Sequence, residues 1–346
     1  MRKWNFVGGR VLKTGIAVLI TVFICQHFNL PTIFAVITAI VTIEPTAHDS
    51  IKKGIIRFPA STIGSAYAMT FTYLLDHSPL SYALSAMFTI VTCQKLRLEA
   101  GTLVATITAV AMIPVTDDHY LYAFFTRLMT TSVGIIVSTF VNFFLIPPNY
   151  SKTVSKQIHT LFMEVADLLD HRLQEWLGDH SKQKATLRAF ERLTEDLKKT
   201  YTLMNYQQQD WKYHKHTKEE MRTFHYNQKK LTILQQIHYH LGNLLYAPVD
   251  RHEWSNEERI LIQQTIESIA TILKDHCHSI STEHYALIEK LDSHFWTYKH
   301  DLSNVKPAKY HHHFHPKCVV LFELLSIHDM IEELKPICSK SRNVTM

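Results

Sequence analysis

The 346-residue chain lacks the sequence signatures of several common classes of protein. It contains no Gly-Lys pair, which excludes a nucleotide-binding P-loop, and its second half has no nucleophile elbow or paired catalytic motif. Strand-like alternation of apolar and polar residues is also absent there. The five cysteines form no Cys-x-x-Cys pair, and their odd number favours reduced thiols. These absences predict an all-α protein that is not an enzyme and uses no cofactor.

Charged residues are scarce in the first part of the chain. Residues 1–150 carry ten of the 36 Lys and Arg residues and six of the 31 Asp and Glu residues, so residues 151–346 have more than twice the charge density. The net charge of +5 is spread evenly, which argues against nucleic acid as a partner. The split predicts a transmembrane domain over residues 1–150 and a soluble helical domain over residues 151–346.

Six apolar runs in the first part predict about six membrane segments: 11–28, 30–43, 55–75, 80–94, 100–114 and 121–146. Lysine and arginine lie before the first run, between the second and third, between the fourth and fifth, and after the sixth, but not in the other loops. Because cytoplasmic loops retain positive charge, this pattern predicts a multi-pass protein of the cell membrane with both termini in the cytoplasm. The lipid bilayer is then its first partner.

The membrane half contains an internal repeat at an offset of 68 to 70 residues. Matched pairs include Cys25 and Cys93, Thr38 and Thr108, Pro45 and Pro114, Arg57 and Arg127, and Gly64 and Gly134. Each copy holds three segments, so the second copy enters the membrane from the opposite side. Such inverted repeats are typical of secondary transporters, in which short or interrupted helices at equivalent positions line a central site.

Two arginines and one glutamate are the candidate ionisable residues of this half. Arg127 lies within the sixth segment, where it either snorkels to the surface or binds an anionic substrate, and Arg57 has the same two interpretations, with snorkelling favoured. Glu44, directly before Pro45, either carries a coupling proton on a carboxyl group of raised pKa or is an interfacial acid in water.

Other polar residues of this half have a structural and a functional interpretation. Gln26 and Gln94 either meet the substrate or join helices by hydrogen bonds. Lys13 is interpreted as an interfacial anchor.

The second half is predicted to form a bundle of about six helices. Helix starts are predicted at Ser151 and Ser181, and capping boxes at Thr217 and Ser255; the last helix, 317–335, is expected to stop at Pro336. Nineteen of the 23 histidines lie here. Adjacent helical residues point about 100° apart, so only the run at 311–315 is a plausible metal site, and histidines on a solvated face are the favoured interpretation.

Three stretches resemble the aromatic acid exporter family of bacteria, specifically a branch of Gram-positive membrane proteins with a C-terminal cytoplasmic helical domain. They are the segment ending at Pro45, the stretch from Arg57 to Gly64 and the stretch from Asn142 to Pro147, although Pro59-Ala60 replaces a more Gly-rich spacing. The resemblance covers nearly the whole chain and implies proton-driven export of aromatic carboxylates.

Two classes of function follow. The first is a secondary exporter of small organic anions, and the second is a membrane-anchored scaffold or regulator that acts through the cytoplasmic helical domain. Homo-oligomerisation is left open.

Overall fold

The computed structural model describes residues 9–115, 120–145, 150–177, 183–213, 216–247, 254–303 and 316–345. These residues form twelve α-helices and one short 3-10 helix, with no strand among them, which confirms the all-α prediction for this part of the chain. The chain divides into two compact units: Met1–Pro148 with Gln208–His214, and Asn149–Gln207 with Lys215–Met346. The short segment Gln208–His214 therefore belongs to the first unit, although it lies far along the sequence.

Helices occupy all six apolar runs of the first unit: α1 Gly9–His27, α2 Thr32–Thr42, α3 Ala47–Leu75, α4 Pro79–Lys95, α5 Glu99–Met112 and α6 Tyr120–Phe144. α3 begins earlier than its apolar run, because the side chain of Thr46 accepts a hydrogen bond from the backbone N–H of Asp49 and caps the helix. By length and composition, α1 and α6 are candidate membrane spans among the described residues, while α2 and α5 are shorter apolar helices.

The main helix contacts of this unit come in matched pairs. Replacing α1, α2 and α3 by α4, α5 and α6, and the reverse, converts each of these contacts into another one that is present. α3 packs against α5, and α6 packs against α2. The pairs α3–α4 and α4–α5 correspond in the same way to α6–α1 and α1–α2. α3 also packs against its own counterpart, α6.

Two glycines at matched positions bring helices into backbone contact. A Cβ added to Gly64 would collide with the backbone carbonyl of Ala105, so α3 and α5 touch backbone to backbone. A Cβ added to Gly134 would collide with the backbone of Ala35 and with Thr38, which brings α6 equally close to α2. Ala35 and Ala105 are themselves 70 residues apart, so the two contacts are counterparts.

The turns that end α1 and α4 also share one geometry. The N–H of Leu30 donates to the carbonyl of Cys25, and the N–H of Leu98 donates to the carbonyl of Cys93, both at 2.8 Å. The residue before each leucine has a positive φ, 51° at Asn29 and 57° at Arg97. This is the hydrogen-bond pattern that ends many helices through a left-handed residue, and it recurs 68 residues apart.

The first unit has a polar interior and an apolar surface. Its buried residues are mostly alanine, serine and threonine, whereas large apolar side chains are exposed, among them Leu19, Phe23, Ile33, Ile55, Leu121 and Ile136. A soluble domain of this size rarely exposes so much apolar surface. Small and hydroxyl residues between helices with large apolar residues outside are typical of a protein surrounded by lipid.

The second unit is an α-helical bundle: α7 Tyr150–Leu177, α8 Gln183–Asp210, α9 Lys218–Tyr246, α10 Asn256–Lys274, α11 Thr282–Ser303 and α12 Pro316–Thr345. The last residues of α8, from Gln208, belong to the first unit. Both predicted capping boxes, at Thr217 and Ser255, are confirmed. The predicted start at Ser181 lies outside the described residues.

The predicted end of the last helix at Pro336 is wrong, because α12 continues through this proline. Leu334 and Ile337 are both buried, so the apolar side of the helix extends past the proline. Packing of that side favours continuation, although proline removes one backbone hydrogen bond.

Candidate functional site

Arg127 lies in the interior of the first unit, on the second turn of α6. Only 3% of its surface is exposed, so the side chain does not snorkel out of the unit. One guanidinium nitrogen donates to the hydroxyl of Thr108 on α5. The guanidinium also lies over the ring of Phe34 on α2, 3.9 Å from the ring centroid.

The hydroxyl that Arg127 contacts, that of Thr108, belongs to a chain of three buried hydroxyls. The hydroxyl of Ser61 on α3 lies 3.2 Å from that of Thr108 and 3.4 Å from that of Thr131 on α6. All three side chains are fully buried. Ser61 and Thr131 are 70 residues apart and therefore occupy matched positions, so the cluster lies where α3 crosses its counterpart α6 and α5 packs beside them.

Arg127 keeps unused hydrogen-bond donors at this place. Its Nε and Nη1 atoms are buried and have no hydrogen-bond partner, and no carboxylate of the described residues pairs with it. A buried cation without a counter-ion is costly, and its unused donors gain a large free energy when an anion binds. A carboxylate has the planar geometry that a guanidinium recognises, and Phe34 supplies an aromatic surface beside it.

Arg57 has a matched position but opposite electrostatics. Its Nη2 donates to the carboxylate of Glu44 at 2.7 Å, and its Nε donates to the carbonyl of Ala100 at 3.3 Å. Lys53 donates to the second carboxylate oxygen of Glu44 at 3.0 Å. Arg57 is buried and does not snorkel, because its charge is neutralised inside the unit.

A single sequence difference accounts for this contrast. Glu44 precedes Pro45 in the first repeat, whereas Ile113 precedes Pro114 in the second. Arg57 therefore has a carboxylate available at the end of the short helix, and Arg127 has an isoleucine at the equivalent place. The two matched arginines are consequently a paired and an unpaired cation.

The pKa of Glu44 differs from the expected one. Burial opposes ionisation of its carboxyl group, but the hydrogen bonds from Arg57 and Lys53 outweigh burial and hold the pKa of Glu44 below its ordinary value. The expectation of a pKa raised toward neutrality is therefore wrong for this conformation. The carboxylate is ionised at neutral pH and serves as the counter-ion of Arg57.

The structure does not bring Gln26 and Gln94 to the buried cluster. Both are exposed residues, near the ends of α1 and α4. Their backbone carbonyls accept the turn hydrogen bonds from the N–H groups of Asn29 and Arg97. Their side chains do not line the surroundings of Arg127.

Sequence reasoning missed a second polar junction, centred on Asn142. Its side-chain amide nitrogen donates to the hydroxyl of Ser50 at 2.8 Å and to the carbonyls of Glu44 and Thr46 at 3.0 and 3.1 Å. Its amide oxygen accepts from Lys13 at 2.9 Å, so Lys13 is a buried structural donor and not an interfacial anchor. An asparagine near the end of an apolar segment was the available signal.

Among the described residues, no group of His, Cys, Asp and Glu has the arrangement of a metal site. The run at 311–315 lies outside these residues. Nδ1–H of His278 donates to the carbonyl of Ile272 at 3.1 Å, and Nδ1 of His240 pairs with Glu323 at 2.7 Å.

Comparison with known proteins relates the first unit to a family of membrane exporters. Residues 5–145 match the sequence model of a family described as "Aromatic acid exporter family member 1". This match covers all six helices of the first unit and confirms the resemblance seen in the sequence. The match to an exporter family indicates a membrane location for this part of the chain.

The relatives extend the match to nearly the whole chain. A UPF0421 protein of Bacillus cereus is 59% identical over 340 residues, which cover 98% of this chain and 96% of the relative. A UPF0421 protein of Halalkalibacterium halodurans is 39% identical over 344 residues, which cover 99% of this chain and 93% of the relative. The chain belongs to the UPF0421 family.

Proposed function

We propose that this protein is a secondary exporter of small organic anions, with aromatic carboxylates as the substrate class. In this proposal the first unit crosses the cell membrane six times as an inverted repeat, with both termini in the cytoplasm. The substrate carboxylate binds to Arg127, and the second unit is a cytoplasmic helical domain.

The buried, unpaired guanidinium of Arg127 is the observation that carries the proposal. Two of its nitrogen atoms lack partners, and the third contacts Thr108, whose hydroxyl is linked to those of Ser61 and Thr131. A substrate with a carboxylate and an aromatic ring matches this cation and the ring of Phe34 at once. Membership of the exporter family supports the same class of ligand.

The exchange of helix contacts supports the inverted-repeat part of the proposal. Gly64 with Ala105 and Gly134 with Ala35 place α3 against α5 and α6 against α2 in the same manner. Because each copy has three helices, two copies joined in sequence have opposite orientations in a bilayer. Transporters built in this way rock one repeat against the other around a shared site.

Proton coupling belongs to the same proposal, with Glu44 as the titrating group. While Arg57 and Lys53 hold its carboxylate, Glu44 stays ionised. A conformation in which Arg57 moves away removes the main cause of the low pKa and permits protonation. In that conformation Arg57 is available as a second cation for the anionic substrate, so protonation of Glu44 is linked to binding of the anion at Arg57.

Efflux from proteoliposomes tests this function. Vesicles containing the purified chain are loaded with a panel of aromatic acids, and a pH gradient is then imposed. The proposal expects gradient-stimulated release of at least one aromatic acid, and no stimulation after a protonophore is added. Release of every acid at the rate of empty liposomes contradicts it.

A further inference from the structure

A cavity of about 270 Å³ lies within the second unit, separate from the Arg127 cluster. It is formed by α7, by the first half of α9 and by the turn after α10. This volume is at the lower end of the range of small-molecule sites, which fits one small ligand. The described residues of its wall combine an apolar, aromatic floor with basic and hydroxyl groups.

The floor is buried and contains two aromatic rings that contact each other at a tilt of 54°. Phe162 and His278 are almost fully buried, and their ring centroids are 4.7 Å apart. Burial lowers the pKa of His278 to about 4, so its ring is neutral at neutral pH. Its Nδ1 faces the carbonyl of Ile272, which cannot donate, so the proton lies on Nδ1. The floor is therefore aromatic and uncharged.

The wall carries a cation without a counter-ion among the described residues. Lys230 lines the cavity, and none of the ion pairs among the described residues includes it. His159 and His276 line the same cavity, with ring centroids 5.7 Å apart. Ser155 accepts a hydrogen bond from Asn227 at 2.7 Å, which leaves its hydroxyl proton for another acceptor. These groups line one cavity and can offer hydrogen bonds and positive charge to a negatively charged ligand.

One acidic residue limits the charge of the ligand. Glu219 lines the rim, in the exposed first turn of α9. Glu219 lies about 16 Å from Lys230 along the axis of α9, so it does not pair with Lys230. Its charge lowers the net positive charge of the cavity, which disfavours a dianion such as phosphate. The cavity thus matches a monovalent anion with a flat apolar body.

We propose that this cavity is a second binding site, which takes a small aromatic monocarboxylate with its ring on Phe162 and His278 and its carboxylate at Lys230. The inference comes from the second unit alone and does not require the chain to transport anything. A ligand site in the helical unit gives that unit a sensing role.

The test is calorimetric titration of benzoate into the full-length chain in nanodiscs, in an Arg127→Gln background that removes the other proposed anion site. One benzoate is expected to bind per chain. Adding Lys230→Gln weakens this binding about tenfold, because a charge-assisted hydrogen bond is lost. The matched control is Lys229→Gln, which removes the adjacent exposed lysine and leaves binding unchanged.

Two further ligands test whether the cavity requires both a negative charge and an aromatic ring. Neutral benzamide is expected not to bind, and inorganic phosphate is expected not to displace benzoate. Absence of saturable benzoate binding, equal weakening by Lys229→Gln, or displacement by phosphate each overturns the proposal. Since these outcomes concern a chain without Arg127, they are independent of the transport assays.

Discussion

Arg57 and Arg127 each lie seven residues before a packing glycine, yet their guanidinium groups have different surroundings. Arg57 is neutralised by Glu44, and Arg127 is held by Thr108 and an aromatic ring. A buried charge without a partner is retained at a cost in folding free energy. In the proposed function, binding of the substrate anion offsets this cost.

Replacement of Arg127 tests this residue directly. Arg127→Gln removes the charge and is expected to weaken binding of a transported aromatic acid about tenfold or more. Calorimetry in nanodiscs measures it, in a Lys230→Gln background so that the second cavity does not contribute. The matched control is Lys52→Gln, an exposed cation of α3. Equal affinity of the Arg127→Gln and Lys52→Gln chains contradicts the assignment.

Glu44→Gln is expected to separate binding from coupling. The amide keeps the size of the side chain but cannot take up a proton, so substrate binding is spared while stimulation of efflux by a pH gradient is lost. Removing one partner of a buried pair also destabilises a protein, so Glu44→Gln with Arg57→Gln serves as the folding control. Gradient-stimulated efflux at the wild-type rate in a correctly inserted Glu44→Gln chain eliminates Glu44 as the titrating group.

A buried histidine pair predicts how the stability of the second unit depends on pH. Nε2 of His284 lies 3.0 Å from Nδ1 of His328, and Nδ1 of His284 lies 2.8 Å from the hydroxyl of Ser268. Burial and the neighbouring His328 lower the pKa of His284 to about 4. The folded state thus binds fewer protons than the unfolded state between about pH 6.5 and pH 4, and stability falls as the pH falls through this range.

Thermal unfolding followed by tryptophan fluorescence measures this effect. Between pH 6.5 and pH 4, the melting temperature of the second unit is expected to fall about 5 °C further in the wild type than in His284→Gln, which does not titrate. The same pH dependence in both chains shows that His284 does not contribute.

At the scale of helices, the glycine contacts of the two repeats predict matched packing defects. Gly64→Ala and Gly134→Ala place a methyl group against the backbone of a neighbouring helix, so both are expected to lower the melting temperature of the purified chain. Gly15→Ala is the control, because a Cβ there meets nothing within 4 Å. If Gly15→Ala lowers the melting temperature as much as the other two substitutions, the glycine contacts do not explain the loss of stability.

Local sequence signals predicted the helices but not their partners. Apolar runs located α1 to α6, and Ser or Thr followed by Glu three residues later located two capped starts, because these signals act within a few residues. The pairing of Arg57 with Glu44 and of Lys13 with Asn142 depends on which helices pack together, which no local pattern contains. The continuation of α12 through Pro336 likewise depends on tertiary burial of Ile337.

At the scale of the whole molecule, the distribution of lysine and arginine predicts the orientation. A reporter that works only in the cytoplasm is expected to be active when it is fused after Tyr150, and a reporter that works only outside the cell is expected to be inactive there. The reason is that loops carrying positive charge are retained in the cytoplasm. Paired fusions of green fluorescent protein and alkaline phosphatase measure it. If only the reporter that works outside the cell is active at Tyr150, the orientation is the reverse of the predicted one and the second unit lies outside.

The central claim is that the first unit moves organic anions across the membrane by means of Arg127. Counterflow in proteoliposomes tests this claim most directly, because it needs no gradient: vesicles loaded with an unlabelled aromatic acid are diluted into the labelled acid. We expect transient accumulation of label by the wild-type chain, strongly reduced by Arg127→Gln and unaffected by Lys52→Gln. Accumulation no greater than in empty liposomes, across the panel of acids and with correctly inserted protein, contradicts it.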